Sequence, residues 1–509
     1  MMWVGRMLLG LVTIAVFSGA GLADTGVKGS EEESVLESGA DHTRYEQLNR
    51  MIRGYSQQRI FCLDINEEYT FELKSGLEKV IRLVSVKEFS DSVLGRIRRA
   101  EVKVEINGKP LGLICAPYVM PTESDGIRIQ ADAISGWRDI PKKIQFSIWD
   151  SADPVVNADR FGFPIDNYLL FSHGIQCYNE VVHLGGNDGD PKGPNFHHDY
   201  GIDLAGYIGR DEIVSCTDGE VTLFWPSREK LCSVAIKDDN GIFWEYGHLD
   251  SVMPNIRKGV RVRKGQKIGM LGKSGPSGNF SHLHLGNYLS KAGLDKDTRN
   301  RRLNLYPWIV TAYHEQYHKN LYAVARPHHV VSTGEEVVFD GLNSLALGTK
   351  IVSYRWVFHD GEEVNDVRAE KTFDSPGVYI ATLWVKDEKG AVDADFCKVK
   401  VFTKSAPEDR IPTIFMTHAP SKGIIVDQPV YFRIWMPANK GTHMTIDFGD
   451  GTVIDDYVSD SEVSHKFNTP GIHIMTAKKT IDGKPIMQKQ KVVVNKSRKI
   501  KKSKRQNIG

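Results

Sequence analysis

The sequence has no long apolar segment beyond its first 23 residues. Its 509 residues are 41% hydrophobic and 25% charged, with a formal net charge of +1, which is the composition of an ordinary soluble protein. A membrane-spanning helix needs about 20 predominantly apolar residues, and no later part of the chain supplies such a run. We therefore expect a mature protein without a transmembrane anchor, and no specific nucleic-acid partner.

Those first 23 residues have the three-part form of a secretory signal peptide. A positive residue precedes a largely apolar run from Met7 to Phe17, and small residues follow it. We expect cleavage after Ala20 or Ala23, and an acidic linker over residues 24–42. The protein is therefore predicted to be secreted, or located in the periplasm or cell envelope. A single uncleaved anchor is the alternative.

Cysteine is scarce, with six residues in the chain, at positions 62, 115, 177, 216, 232 and 397. An exported protein permits disulfides between them. Cys216 and Cys232 are predicted to lie near the strands that flank the strand from Val221 to Trp225, and we take their pairing as the favoured disulfide. Buried free thiols are the alternative, since a free cysteine packs like a small hydrophobic residue.

The chain length predicts about three or four domains, and the residue patterns indicate a mainly β, multidomain protein. After residue 42, short stretches rich in β-branched and aromatic residues alternate with turn signals. An N-terminal β-sandwich is predicted over residues 43–160, opened by a short helix with a capping box from Thr43 to Glu46. Asn107-Gly108 predicts a tight hairpin within it. We find no catalytic constellation in this domain.

A second β domain is predicted over residues 161–305, and it carries an ordered set of polar residues. Asp203 lies in Gly-Ile-Asp-Leu, His248 in Tyr-Gly-His-Leu, and His282 with His284 in Ser-His-Leu-His-Leu. Side chains two apart on a strand project from the same face, so His282 and His284 can contact the same small ligand. A hydrolytic zinc site uses three nitrogen or oxygen ligands and keeps a fourth position for water. Asp203 and one of these two histidines fit as ligands, which leaves the other histidine and His248 for proton transfer or for the oxyanion.

This ordered set, with Gly265-Gln-Lys-Ile-Gly269 between the last two motifs, resembles the lysostaphin-type (LytM-like) zinc metalloendopeptidases, which cut peptide cross-links in bacterial cell walls. The resemblance implies that Asp203 and His284 bind zinc (Zn2+) and that His248 and His282 form the catalytic pair. It further implies an exported zinc-dependent endopeptidase that hydrolyses peptidoglycan cross-links or another cell-envelope peptide. A catalytically inactive, peptidase-like binding or regulatory module is the alternative.

The third expected ligand departs from the family pattern. The family has a histidine four residues before the aspartate, whereas this sequence has Asp199 there and His198 one residue earlier. An even spacing on a strand keeps both side chains on one face, which favours Asp199. Imidazole is a far commoner zinc ligand in such sites, and a bulge beside Gly201 would restore the facing, which favours His198. We take His198 as the predicted metal ligand beside Asp203, with Asp199 as the alternative.

A second histidine pair lies in His314-Glu315-Gln316-Tyr317-His318, which matches the helical zincin pattern of two histidines four apart with a glutamate between them. Pro307 and the apolar spacing after it predict a helix here. The extended signature of metzincins is missing, and a β-rich region follows soon afterwards. We therefore interpret residues 306–321 as a connector helix and not as a second zinc site.

Residues 322–403 and 412–495 are predicted to form an internal repeat, separated by a linker at 404–411. Alternating apolar and polar residues, with Asp-Gly turns at matching places, predict two antiparallel β-sandwiches. Both resemble PKD (polycystic kidney disease) domains, which implies extracellular spacing or adhesion without catalysis. The tail, residues 496–509, contains seven lysine and arginine residues. It is expected to be solvated and disordered, with binding to acidic wall polymers, anionic lipid or nucleic acid as the alternative.

Overall fold

The computed structural model describes residues 45–137, 140–178, 180–183, 196–198, 201–227, 231–275, 277–289, 303–404, 411–437 and 441–496. Strands dominate these residues, which confirms the mainly β prediction. The predicted signal peptide, the linker at 24–42 and the tail beyond Lys496 lie outside the described residues. Within the described ranges, no helix has the length and apolar character needed to cross a membrane.

The first domain is a β-sandwich preceded by a helix. Helix α1 includes residues 45–52 and buries Tyr45, Leu48 and Ile52. The strands that follow are β1 (Arg59–Leu63), β2 (Glu68–Glu72), β3 (Glu78–Ser90), β4 (Ile97–Ile106), β5 (Lys109–Cys115), β6 (Thr122–Ser124), β7 (Ile127–Ile134) and β8 (Ile144–Asp150). They form two antiparallel sheets, β1-β8-β7-β6 and β2-β3-β4-β5. Asn107-Gly108 makes the turn between β4 and β5 with positive φ angles of 48° and 76°, which confirms the predicted hairpin.

The second domain is built around one large antiparallel sheet. Its strands are β9 (Ile175–Gln176), β10 (Val181–His183), β11 (Phe196–His198), β12 (Ile202–Ala205), β13 (Glu212–Val214), β14 (Gly219–Ser227), β15 (Leu231–Lys237), β16 (Phe243–Gly247), β17 (Ser251–Val252), β18 (Arg261–Val262), β19 (Lys267–Met270) and β20 (His282–Tyr288). The large sheet has the order β18-β14-β15-β16-β20-β12-β9. Strands β13, β19 and β17 form a second sheet, and β10 and β11 form a separate two-stranded ribbon.

Helix α2 (Tyr306–Tyr317) lies in the core of the second domain. Pro307 stands in its first turn, as predicted. Trp308 and Tyr313 are fully buried, and the Tyr313 hydroxyl donates a hydrogen bond to the carbonyl of Tyr168 at 2.9 Å. The helix therefore supports the fold of the second domain as well as connecting it to the next one.

The two zincin-like histidines lie at the C-terminal end of α2. His318 is the C-cap of the helix, in a left-handed conformation with a φ of 53°. The Nδ1 atom of His314 donates to the carbonyl of Lys319 at 2.9 Å, and Glu315 is exposed. The segment is therefore a helix, as predicted, and the absence of a second zinc site stays a prediction.

Two further β-sandwiches follow. The first contains β21 (Leu321–Tyr322), β22 (His329–Ser332), β23 (Glu336–Asp340), β24 (Leu345–Ala346), β25 (Ile351–Val357), β26 (Glu363–Val364), β27 (Arg368–Thr372), β28 (Gly377–Asp387) and β29 (Val392–Phe402). The second contains β30 (Phe415–Ala419), β31 (Pro429–Trp435), β32 (His443–Asp447), β33 (Val453–Val458), β34 (Glu462–Lys466), β35 (Gly471–Ile481) and β36 (Lys484–Val494).

These two sandwiches share one sheet, which the repeat in the sequence does not predict. Of its nine strands, seven run in the order β22-β29-β28-β36-β35-β32-β33, and β25, which pairs with β26, also pairs with β28. Strand β28 meets β36 in parallel where Val378 pairs with Ile486. A buried ion pair reinforces the junction, since Lys491 Nζ lies 2.6 Å from Asp393 Oδ1. The sandwiches therefore form one continuous structure, although each has its own hydrophobic core.

The predicted disulfide between Cys216 and Cys232 is wrong, because Cys216 is a free thiol. Its sulfur accepts a hydrogen bond from the Tyr246 hydroxyl at 2.9 Å, and burial raises the pKa of the thiol above its usual range. The prediction placed both cysteines beside one strand. Instead, β13 ends before Cys216 and pairs with β19 in the smaller sheet, whereas Cys232 lies on β15 in the large sheet.

The second sandwich packs directly on the second domain through a pair of buried histidines. The backbone N–H of His418 donates to His173 Nε2 at 3.1 Å, and the two imidazole rings are 4.6 Å apart. Nearby, the backbone N–H of Leu169 donates to the Ser421 hydroxyl at 3.3 Å. The same Nε2 atom lies 3.2 Å from the carbonyl oxygen of His418, so it accepts the N–H bond in one tautomer and donates to the carbonyl in the other.

Acid is expected to destabilise the protein through this histidine pair. Burial lowers the pKa of His418 to about 4, and burial together with the charge of His418 lowers the pKa of His173 well below its usual range. Histidines of the unfolded chain bind a proton near pH 6.5. The stabilisation is therefore fully present above that pH and is lost as the pH falls from about 6.5 towards 4. For His418 alone the loss is on the order of 3 kcal/mol.

The measurement is the thermal unfolding midpoint at about pH 7.5 and about pH 5. A His418→Gln variant has no group titrating at this position, so its midpoint should fall less between the two pH values than that of the wild type. An equal fall in both proteins would show that the His418 ring does not contribute to the acid sensitivity.

Candidate active site

The candidate active site lies on β12 and β20, which are neighbours in the large sheet. Their antiparallel register places Asp203 opposite His284 and Ala205 opposite His282. The residues that alternate with them, such as Leu204 and Leu283, are buried in the domain core. Alternation along both strands therefore puts the aspartate and the two histidines on the opposite face of the sheet.

His248 joins this face from the end of the neighbouring strand β16. Gly247 pairs with His284 across the two strands, and His248 follows in a left-handed conformation with a φ of 59°. Its ring lies 4.6 Å from the ring of His282 and 6.1 Å from that of His284. The structure thus brings together four of the residues selected from the sequence: Asp203, His248, His282 and His284.

The close packing around these side chains depends on a glycine. A Cβ atom added to Gly201 would lie 2.3 Å from the carbonyl oxygen of Leu285 and 3.2 Å from Cε1 of His284. No side chain fits at such distances, so glycine allows the chain leading into β12 to approach β20. The sequence analysis considered Gly201 as the site of a bulge, whereas the structure gives it the role of allowing this approach.

The Asp203 carboxylate is shared between two imidazoles. Oδ1 lies 2.7 Å from Nδ1 of His284 and Oδ2 lies 3.4 Å from Nε2 of His282. Asp203 is 5% exposed and His282 is 4% exposed. Burial acts to raise the pKa of Asp203, but the nearby His282 and His284 outweigh it and lower the pKa below its usual range. Asp203 is therefore ionised at neutral pH.

His248 and His282 are both held in the same tautomer by backbone carbonyls. His248 Nδ1 donates to the Ser274 carbonyl at 2.7 Å, and His282 Nδ1 donates to the Phe280 carbonyl at 2.8 Å. Burial, reinforced by the charges of the neighbouring histidines, lowers the pKa of His248 to about 3, and burial also lowers the pKa of His282. Each ring is therefore neutral near pH 7. Its proton is on Nδ1, so Nε2 is unprotonated and able to accept a proton.

The donor atoms of this cluster are of the types that zinc binds, although the described side chains alone do not complete a zinc site. Zinc prefers imidazole nitrogen and carboxylate oxygen, and Asp203 with His284 offers one of each at a separation of 2.7 Å. No group of three or more metal-binding side chains is found among the residues that the structure describes. The side chains of His198 and Asp199, the two candidates for the third ligand, lie outside that description.

The strand argument that favoured Asp199 does not apply to this fold. It assumed one continuous strand leading to Asp203, along which side chains alternate. Instead, β11 ends at His198 and pairs with β10, whereas β12 begins at Ile202 in the large sheet. The spacing of residues therefore does not decide which of the two side chains faces Asp203, and the choice of His198 stays a prediction.

The sequence analysis missed the groups that orient His248 and His282, the two histidines predicted to be catalytic. The acceptors are the backbone carbonyls of Ser274 and Phe280, and a backbone carbonyl has no residue-specific signal. The first of these carbonyls belongs to the glycine-rich segment from Gly272 to Gly278. Its position immediately before the His-Leu-His motif was the available indication that it supports the site.

Two family models match this chain. Residues 197–296 match peptidase family M23, and residues 322–401 match the PKD domain. Among curated proteins, the collagenase ColA of Clostridium perfringens is 34% identical over 79 residues, which cover 16% of this chain and only 7% of that protein. The PKD character of the second sandwich lies outside the matched ranges and stays a prediction.

Solved structures also resemble parts of the chain. One is described as a glycyl-glycine endopeptidase lytM from Ruminococcus gnavus; it is 26% identical, with a TM-score of 0.21, over 31% of this chain and 62% of that one. The lysostaphin catalytic domain from Staphylococcus simulans is 20% identical, with a TM-score of 0.21, over 27% of this chain and 92% of that one. The matched family ranges fall on the second domain and on the first of the two sandwiches. This chain therefore contains one region that matches peptidase family M23 and one that matches the PKD domain.

Proposed function

We propose that this protein is an exported zinc-dependent endopeptidase that hydrolyses peptide bonds in peptidoglycan cross-links of the cell envelope. The observation that carries the proposal is the shared carboxylate of Asp203, which lies against His282 and His284 with His248 beside them. This arrangement stands inside a domain that matches a peptidase family. The family resemblance supports the cell-wall substrate, and the signal-like first 23 residues support export.

Zinc, held by Asp203, His284 and His198, would act as a Lewis acid that polarises the substrate carbonyl and activates water. The residues of the chain supply the rest. Asp203 is ionised and almost fully buried, so it offers a fixed negative charge to the cation. Its second carboxylate oxygen lies 3.4 Å from Nε2 of His282, where it would stabilise the imidazolium that forms when that nitrogen takes a proton.

His248 and His282 would manage protons and charge at the scissile bond. Both are neutral near pH 7 and both present Nε2 while Nδ1 is engaged. In this state either ring can take a proton from the attacking water or, once protonated, donate to the oxyanion or the leaving amine. Because the rings are buried and fixed by backbone carbonyls, little reorganisation is needed during the reaction.

The test measures zinc content and hydrolysis on the same preparation of the full chain. We expect about one zinc ion per chain, release of new amino groups from purified peptidoglycan, loss of activity with a chelator and recovery with zinc. His248→Gln and His282→Gln should keep the zinc but lower the hydrolysis rate by about 100-fold or more. Zinc binding without any hydrolysis would instead indicate a binding module, and hydrolysis that persists without zinc would refute the metal dependence.

A further inference from the structure

A row of aromatic rings links the second sandwich to the candidate active site. The Phe280 ring stacks on His282 with 4.8 Å between centroids and an angle of 23°. Phe415 of β30 lies 5.4 Å from Phe280, and Trp435 of β31 lies 5.4 Å from Phe415. We call Phe280, Phe415 and Trp435 the aromatic row. Two of its three members therefore come from a sandwich that begins more than a hundred residues after His282 in the sequence.

The aromatic row also holds the backbone next to His282. The indole N–H of Trp435 donates to the carbonyl of Asn279 at 3.0 Å, and Asn279 has a left-handed φ of 57°. The following carbonyl, that of Phe280, accepts the Nδ1 hydrogen bond of His282. Trp435 is only 4% exposed. Its ring therefore packs inside the protein against this segment and is not accessible to a substrate.

The loop that precedes β20, residues 272–281, also orients His248. Its residue Ser274 accepts the His248 Nδ1 hydrogen bond through its carbonyl, and the Ser274 hydroxyl accepts the backbone N–H of Cys232 at 2.8 Å. The backbone N–H of His282 in turn donates to the carbonyl of Gly272 at 3.0 Å. Residues 272–281 therefore carry the hydrogen-bond partners of both catalytic histidines, and the aromatic row fixes the end of this loop nearest His282.

A separate contact docks the sandwich on the peptidase domain. The Arg210 guanidinium lies 4.0 Å above the ring of Tyr431 and 3.1 Å from the Glu462 carboxylate. Tyr431 is on β31, four residues before Trp435 and on the same face of that strand. This contact attaches the sandwich through residues that are not members of the aromatic row, and it provides a matched control.

We propose that Phe415 and Trp435 are positioning residues for His282, so that the catalytic centre is assembled from the peptidase domain and the second sandwich together. The inference rests on the proposed function, and it assigns the second sandwich a role beyond spacing or adhesion. The Phe280 ring, which Phe415 contacts, is stacked on one face of the His282 imidazole and restricts the tilt of that imidazole. The hydrogen bond from Trp435 to Asn279 restricts the next carbonyl, that of Phe280, which sets the tautomer of His282. Small misplacements of a catalytic group cost up to about 100-fold in rate, and the loss of supporting partners costs about 10- to 100-fold.

The first test is kinetic and uses the full-length, zinc-loaded protein. Phe415→Ala and Trp435→Ala should each lower kcat by about 10- to 100-fold while KM and zinc content stay within about 2-fold of the wild type. Phe415→Tyr keeps the ring and should restore kcat to within about 3-fold. A raised KM with unchanged kcat would overturn the proposal, because it would show that Phe415 contacts the substrate and does not position His282.

The matched control is Tyr431→Ala, which removes an aromatic contact of the same strand but leaves the aromatic row intact. It should keep kcat within about 2-fold of the wild type. A loss equal to that of Phe415→Ala would overturn the proposal, since any weakening of the docked sandwich would then explain the effect.

The second test does not depend on activity. Hydrogen exchange of the backbone amides in residues 272–282 should become faster in Phe415→Ala and Trp435→Ala, but not in Tyr431→Ala. If the wild-type protein proves inactive but the two row variants still exchange faster than it does, the coupling stands while the proposed function fails. The two claims are therefore separable. Unchanged exchange in both row variants would overturn the coupling itself.

Discussion

An Asp203→Asn substitution is expected to remove the bound zinc and to lower peptidase activity by more than about 1000-fold. The amide keeps the shape of the carboxylate but loses the negative charge that a buried cation requires. It also loses one of the two acceptor oxygens that now face His284 and His282. His284→Ala should have the same double effect, because it removes the imidazole nitrogen nearest that carboxylate. The measurements are zinc content after dialysis and the initial rate of peptidoglycan hydrolysis.

The control for these variants is the histidine pair of α2. His314→Ala and His318→Ala should retain both zinc and activity, since one ring bonds a backbone carbonyl and the other residue caps the helix. Full activity in Asp203→Asn would refute the assignment of Asp203. Loss of a zinc equivalent in the α2 variants would instead show a second site that the described geometry does not predict.

The second large effect is expected at the unassigned third ligand. His198→Ala should weaken zinc affinity by more than about 100-fold, whereas Asp199→Ala should change it by less than about 10-fold. The reason is that two ligands alone do not complete a stable three-ligand site, and that neutral imidazole is the usual partner of a carboxylate in such sites. Competition with a chromophoric chelator measures both affinities side by side.

The opposite order of effects would identify Asp199 as the ligand. Because β11 and β12 belong to different sheets, that result would reflect the path of the chain between them and not the alternation of one strand. No change in either variant would mean that a third ligand comes from elsewhere or that the site does not bind zinc.

The sequence correctly predicted that His282 and His284 share one face of a strand, because that information is local. The spacing of His282 and His284 requires only that the segment be a strand, and the strand β20 provides it. The Asn107-Gly108 turn is equally local, since two residues that accept positive φ angles are sufficient to close a hairpin. Both of these correct predictions depend only on residues close in sequence.

The errors and omissions concern contacts between distant segments. The pairing of Cys216 with Cys232 assumed that both lie near the strands flanking Val221–Trp225, but Cys216 follows β13 of the smaller sheet and Cys232 lies on β15 of the large sheet. The contact between Phe280 and Phe415 joins residues that no spacing rule connects. Aromatic residues are common in the core of any sandwich, so nothing in the pattern of β30 distinguished Phe415 as a neighbour of the active site.

The parallel contact between β28 and β36 determines where this chain can be cut. Strand β25 covers one edge of β28 along Thr382–Asp387, and β36 covers the rest of that edge at Val378. A fragment that ends in the predicted linker at 404–411 would lose β36 and expose unpaired backbone groups there. Open strand edges recruit strands from other molecules. The first sandwich prepared without the second would therefore be prone to self-association, although the sequence repeat suggests a natural boundary between them.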